Sequence, residues 1–172
     1  MSVKRPVTPE AARLRMADLC ARSEQCEYDI RTKLIRLGLN PSQIDSIISF
    51  LKENRFLDNT RFAVSFARDK CRFSSWGKNK IKMGLMMKRL PKADIEAGLR
   101  EIDEKDYLDA LRRVTLAKGR QLDLLGENSR EERMKLYRHI LSRGFESPLA
   151  TKATESYMKK LKREAEHGSP EE

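Results

Sequence analysis

Apolar residues along this chain recur at intervals of three and four, and nowhere do they alternate strictly with polar ones. Ile44, Ile47, Ile48 and Leu51 stand at i, i+3, i+4 and i+7, the stripe of a helix that buries one face. The same spacing, punctuated by capping residues, predicts nine helices and no strand. Thr8-Pro9 opens the first, over 9–22, with a hydroxyl cap and a proline at a position where its missing N–H is harmless. Ser23-Glu24 restarts a helix that runs through Ile30 and Leu34 to a stop at Gly38, and Asn40-Pro41 opens a third. Asp58 caps a fourth, over 59–73, with Phe62, Ala63 and Phe66 on its buried side. Trp76-Gly77 leads into a fifth with Ile81 and Leu85, and a sixth carries Ile95, Leu99 and Ile102. A longer seventh, from Asp103 to about Leu122, turns Tyr107, Leu108, Leu111, Val114 and Thr115 inward. Ser129-Arg130-Glu131-Glu132 reads as a capping box opening an eighth, with Met134, Tyr137, Ile140 and Leu141 inward and a stop at Gly144. Ser147-Pro148 begins the ninth, which carries Ala150, Ala153, Tyr157 and Leu161.

These helices group in threes. A shift of 51 residues places Leu34 on Leu85, Leu39 on Leu90, Ile44 on Ile95, Ile48 on Leu99 and Leu51 on Ile102. A shift of 106 places Leu34 on Ile140, Ile35 on Leu141, Gly38 on Gly144 and Leu51 on Tyr157. The expected architecture is therefore all-α, with three tandem three-helix repeats over 9–57, 58–103 and 104–164 forming an elongated, curved body. A loose arm at 1–8 and a polar tail at 165–172 complete the chain.

Charge changes this picture by its placement. Residues 61–92 hold ten Lys/Arg against the single acid Asp69, while residues 1–60 hold ten against eight and residues 93–172 sixteen against seventeen. Almost all of the net +10 thus sits in the middle. Arg61, Ser65, Arg68 and Arg72 share one helical face at offsets of 4, 7 and 11, with little acid nearby in sequence to pair with. Lys78, Lys82 and Arg89 fall in one narrow arc of the next helix, and Lys80 and Lys88 add to the excess. A dense single-sign segment repels itself, so a polyanion or an acidic protein surface is the expected partner. The eight candidate contacts are Arg61, Arg68, Arg72, Lys78, Lys80, Lys82, Lys88 and Arg89. Met83, Met86 and Met87 read as core filling, with an adaptable protein contact as the alternative. Trp76, beside Gly77, reads as a wedge between units rather than a base-stacking ring.

The first unit carries Arg22-Ser23-Glu24, then Asp29-Ile30-Arg31-Thr32-Lys33-Leu34 and Gly38, a serine-capped acidic-leucine helix ending in glycine, and the second carries Leu57-Asp58, Arg61-Phe62-Ala63, Trp76-Gly77 and Ile81 with Leu85. In these motifs and their order the chain resembles the RecX family, bacterial regulators of the RecA recombinase. The likeness spans roughly 10–160; Arg89 stands where a turn glycine is usual, which leaves that turn open to a different conformation, and the third unit matches poorly. The resemblance implies three tandem three-helix repeats, binding along the groove of the RecA–DNA filament, and inhibition or other modulation of its ATPase and strand exchange. It implies no catalytic residues.

The residues themselves argue the same way. His139 and His167 have no matched partners, and no G-x-x-x-x-G-K-[ST] phosphate loop occurs. Cys20, Cys26 and Cys71 lack metal-ligand spacing and read as reduced thiols of a cytoplasmic protein. No apolar run approaches the roughly 18 residues of a membrane span, and MSVKRPVTPE has no hydrophobic core for a secretory signal. The expectation is a cytoplasmic, monomeric regulator, not an enzyme, without cofactor or metal, that binds the RecA filament and single- or double-stranded DNA weakly. A general helical DNA-binding protein acting on naked DNA is the second reading, ranked lower because no recognition helix is evident. A helical scaffold whose charge only keeps it soluble is the third.

Overall fold

Nine α-helices and no strand make up the described residues, 7–167 of a computed structural model. They are α1 (Pro9–Arg22), α2 (Glu27–Arg36), α3 (Pro41–Glu53), α4 (Asn59–Ser74), α5 (Lys78–Met87), α6 (Lys92–Arg100), α7 (Glu104–Gly119), α8 (Ser129–Ser142) and α9 (Ser147–Glu166). The expected arm and tail fall for the most part outside the described residues, and α9 takes in the first two residues assigned to the tail.

Two compact units result. One comprises the chain up to Phe66 together with Gly84–Arg100, and the other Ala67–Met83 together with Glu101 onward. In the first, α3 packs on α1 and α2. Its core is the helical stripe Ile44, Ile47, Ile48 and Leu51 set against Ala12, Met16, Cys20, Ile30 and Leu34, all buried. The Asn40 side chain accepts from the Gln43 N–H and the Gln43 side chain accepts from the Asn40 N–H, each at 2.9 Å, so α3 starts with a full capping box. Gly98 of α6 lies against Ala63, where an added Cβ would fall 2.7 Å from the Ala63 carbonyl oxygen. In the second unit α7, α8 and α9 pack pairwise around Leu111, Val114, Leu124, Leu136, Ile140, Phe145 and Tyr157. The rings of Tyr107 and Phe145 meet there at 5.3 Å.

Of the positions matched by the shift of 51, three pairs are similarly buried, Leu34 and Leu85 at 0%, Leu39 and Leu90 at 8% and 7%, and Ile44 and Ile95 at 5% and 4%, whereas Ile48 is buried and Leu99 only partly so. Gly38, Arg89 and Gly144 all adopt left-handed backbone, with φ of 84°, 54° and 92°. Arg89 therefore makes the glycine's turn without being glycine. Left-handed backbone costs a side-chain-bearing residue about 1–2 kcal/mol. Stacking of the Arg89 guanidinium over Tyr28, 5.0 Å from the ring centroid, offsets part of that cost, since such contacts contribute about 0.5–1 kcal/mol at exposed sites.

Several local expectations are corrected. Ser23 does not cap α2: its extended backbone closes α1, donating to the Leu19 carbonyl, and α2 begins at Glu27. The Glu27 N–H is capped instead by the Asn59 side chain at 3.0 Å, a partner 32 residues away. The capping box at Ser129 does not form, because Ser129 is already helical and the Asn128 carbonyl takes the N–H groups of Glu131 and Glu132. Leu108 and Met134 are 47% and 44% exposed, since the packed stripes run through Tyr107–Leu111–Val114, one residue off, and Leu136–Ile140, two residues off. Phe62 and Phe66 are only half-buried and pack on each other at 5.8 Å; the fully buried face of α4 is Ala63, Ala67 and Cys71. Met83, Met86 and Met87 are not core: they are 65%, 57% and 77% exposed, because Ile81 and Leu85 alone occupy the buried side of α5.

Within the second unit, backbone meets backbone where Gly77 passes Gly144. The Gly77 N–H donates to the Arg143 carbonyl at 2.8 Å and the Asn79 N–H to the Gly144 carbonyl at 3.0 Å. A Cβ on Gly77 would sit 2.2 Å from the Gly144 carbonyl carbon, an impossible approach to rigid main chain. Gly77→Ala is therefore expected to destabilise the protein by about 3 kcal/mol, the upper end for overpacking, as measured by urea unfolding. A control substitution at exposed Met87 should stay within about 0.5 kcal/mol of the parent.

Candidate partner-binding surface

The basic stretch is divided by its own chemistry into residues that hold the fold and residues that face outward. In the first unit, Arg61 is fully engaged. Its Nε donates to Glu24 at 2.7 Å, and its two Nη groups donate to the Arg55 carbonyl at 3.2 Å. The guanidinium thus pins the turn between α3 and α4, where Arg55 itself is left-handed at φ 58°. This hydrogen bond to Glu24 raises the Arg61 pKa further. Lys88 donates to both carboxylate oxygens of Asp29, at 3.0 and 2.8 Å, and that bond raises its pKa. Arg89 lies past the end of α5, so it does not extend the Lys78–Lys82 arc but stacks on Tyr28.

In the second unit, Arg68 pairs with Glu101 at 3.0 Å and Arg72 with Asp106 at 2.5 Å. The expectation that the arginine face of α4 has little acid to pair with is thereby corrected. Glu24 lies 37 residues before Arg61, Glu101 33 after Arg68 and Asp106 34 after Arg72, and helix packing delivers all three carboxylates. Lys78 holds its ammonium 5.0 Å from the Tyr107 ring centroid, while its N–H donates to the Tyr107 hydroxyl at 3.0 Å. Burial raises the Tyr107 pKa, and the hydrogen bond to Glu146 adds to it. Lys80 lies 4.9 Å from the Trp76 ring centroid, and Lys70, absent from the eight candidates, lies 5.0 Å from the same ring. Lys82 is exposed, and neither Lys80 nor Lys82 forms an ion pair among the described residues. Trp76 itself is half-buried.

Two arginines outside the stretch complete this end of the second unit. Arg113 donates to Ser75 Oγ at 3.1 Å and to the Arg72 carbonyl at 3.0 Å, and Arg143 donates to the Ser74 carbonyl. They satisfy carbonyls that the end of α4 leaves without intrahelical donors. Elsewhere, the titratable groups are structural. Burial raises all three thiols, Cys26 to about 11, and no disulfide joins them. His139 is held below its ordinary value by partial burial and by Lys118 and Arg143. No group of three or more His, Cys, Asp or Glu side chains is placed to hold a metal ion, and no helix is long and apolar enough to cross a membrane, among the described residues.

The described residues thus form an all-α protein whose excess positive charge lies on α4, α5 and the turns beside them. Its fold matches the crystal structure of regulatory protein RecX with a TM-score of 0.75 at 20% identity, over 86% of this chain and 73% of that one. The crystal structure of RecX from Lactobacillus salivarius matches with a TM-score of 0.74 at 16% identity, over 86% and 95%. The family model for RecX, second three-helix domain, matches residues 58–99. Regulatory protein RecX of Pseudomonas savastanoi pv. phaseolicola is 34% identical over 133 residues, 76% of this chain and 84% of that protein. Regulatory protein RecX of Clostridium botulinum strain Eklund 17B is 33% identical over 124 residues, and this chain covers 58% of its length. The chain belongs to the RecX family.

Arg61 and Lys82 separate the two roles experimentally. Arg61→Ala removes the partner of Glu24, whose other carboxylate oxygen is already buried without a hydrogen bond. It should cost about 1–3 kcal/mol, the penalty of a stranded polar group, whereas Lys82→Ala should change stability by less than about 0.5 kcal/mol. Urea midpoints of the two variants, measured side by side, check this.

Proposed function

We propose that this chain binds the RecA–DNA nucleoprotein filament and inhibits its ATPase and strand exchange, acting as a monomeric cytoplasmic regulator and not as an enzyme. Family membership carries the proposal: relatives that this chain covers over most of their length are named as regulatory proteins. The basic middle supplies the means. A filament offers a groove lined by phosphates and protein, and complementary potential speeds the encounter of a cationic helix with it.

The cations without an ion pair carry this role and the paired ones support it. Lys78, Lys80 and Lys82 on α5 meet no carboxylate among the described residues, so contact with a polyanion displaces no internal acid. Arg61, Arg68, Arg72 and Lys88 are each held by an acid, so they first fix the elements from which the lysines project. Arg89 combines both, being exposed yet stacked on Tyr28.

The test is single-strand-dependent ATP hydrolysis and strand exchange by RecA with this protein added in substoichiometric amounts. Inhibition is expected. Lys80→Glu/Lys82→Glu should raise the half-inhibitory concentration about tenfold, equivalent to about 1.4 kcal/mol, at an unchanged melting temperature. Unaltered ATPase and strand exchange with the parent protein would reject the regulatory role.

A further inference from the structure

A trough of about 260 Å³ runs between α7 and α9, and every residue lining it belongs to the second unit. Two helical stripes of equal spacing form it. Leu108, Leu111, Arg112 and Thr115 stand at i, i+3, i+4 and i+7 on α7, and Ala153, Ser156, Tyr157 and Lys160 stand likewise on α9. Its floor is apolar: Leu111 and Tyr157 are buried and Leu116 is half-buried. The Thr115 hydroxyl already donates to the Leu111 carbonyl at 2.8 Å. Leu108 lines the trough while 47% exposed. The polar rim is cationic. Arg112 meets no carboxylate among the described residues, and Lys160 meets only Glu164 of its own helix, at 3.5 Å. No acid lines the trough. Tyr157 is 8% exposed, yet its hydroxyl, unlike those of Tyr107 and Tyr137, makes no hydrogen bond among the described residues. A buried tyrosine ordinarily finds a partner for that group.

We infer that this trough docks an acidic peptide segment of a partner protein, with a large apolar side chain seated between α7 and α9 and neighbouring carboxylates held by Arg112 and Lys160. Size selects the occupant. A cavity of about 150 Å³ holds a benzene-sized group, so this one suits a phenylalanine or leucine side chain with part of its neighbour. It falls below the roughly 300–1,000 Å³ of a pocket for a drug-sized ligand. A single apolar anchor seated in a groove between helices is a standard mode of peptide recognition. Charge selects further, because two cations with no acid beside them in the lining favour carboxylates and repel ammonium groups. The Tyr157 hydroxyl is left to bond the main chain of the peptide. A second copy of this chain, with its net charge of +10, brings repulsion instead. The site lies outside the basic stretch of residues 61–92 and does not rest on the proposed function.

The full-length protein is titrated with the capped peptide Ac-EDLFED-NH2 and with Ac-EDSSED-NH2, in which serines replace the apolar pair, and two-dimensional amide NMR spectra follow the binding. Saturable shifts centred on Leu108, Thr115 and Tyr157 are expected. The serine peptide should bind about tenfold more weakly or worse, as burial of one large apolar side chain requires. Arg112→Glu should weaken binding of the apolar peptide about tenfold. Ser156→Phe, which fills the trough from an exposed position, should abolish it. Arg15→Glu, the same charge reversal at an exposed arginine of α1, should leave it unchanged. Parental melting temperatures in all three variants separate lost binding from lost fold. No shifts, equal affinity for the serine peptide, or parental affinity in Arg112→Glu or Ser156→Phe would overturn the inference. Shifts at these residues with decanoate but not with the peptide would make the trough a small-molecule pocket, and the inference would fall. It would fall likewise if the same shifts appeared on raising the protein concentration alone, since a second copy would then cover the trough. RecA is absent from every arm, so failure here leaves the proposed function standing, and failure of the RecA assay leaves this site standing.

Discussion

Every α-helix leaves its first N–H groups and last carbonyls without intrahelical partners, and nine short helices multiply that problem. In this protein many of those groups are satisfied from far away in the chain. The Glu27 N–H takes Asn59, the Lys78 N–H takes the Tyr107 hydroxyl, and the Gly77 N–H takes the Arg143 carbonyl. The carbonyls ending α4 take Arg113 and Arg143. Each bond seals a helix end and at the same time fixes where the next helix starts. The close passage of Gly77 and Gly144 is the tightest case, since two of these bonds form only if both positions lack a side chain.

This use of polar groups changes what the positive charge means. Ten bases against one acid in residues 61–92 reads as an unbalanced field. After folding, Glu24, Asp29, Glu96, Glu101 and Asp106 have come to Arg61, Lys88, Lys92, Arg68 and Arg72. Exposed pairs of this sort contribute little to stability individually, Arg61–Glu24 with its buried second oxygen apart, but they orient the arginines. The cations that meet no carboxylate among the described residues include Lys78, Lys80 and Lys82 of α5. They are a narrower set than the stretch as a whole.

Solved RecX structures at 16–20% identity share this fold at TM-scores of 0.74–0.75, so few particular side chains are needed to specify it. What suffices is the spacing of apolar positions and the turn chemistry between helices. Arg89 makes the point within one chain: it occupies the left-handed turn that Gly38 and Gly144 make, because packing of Leu85 and Leu90 on either side fixes the turn and Tyr28 receives the guanidinium.

The number of helices, most of their boundaries, and the stripes of α3 and of Leu34–Leu39 and Leu85–Leu90 were all determined by the sequence, because periodicity and local caps act over a few residues. The basic middle was legible for the same reason, as a local count. Tertiary structure alone decided that Arg61, Arg68, Arg72 and Lys88 were neutralised, since their acids lie more than 30 residues away. It also decided that Met83, Met86, Met87 and Leu108 face outward: a helix shows several apolar positions, and only its neighbours select which of them are covered. The meeting of Lys70 and Lys80 over Trp76 left no local signal, because two ammonium groups reach one ring only when a helix end and the following turn bring them together.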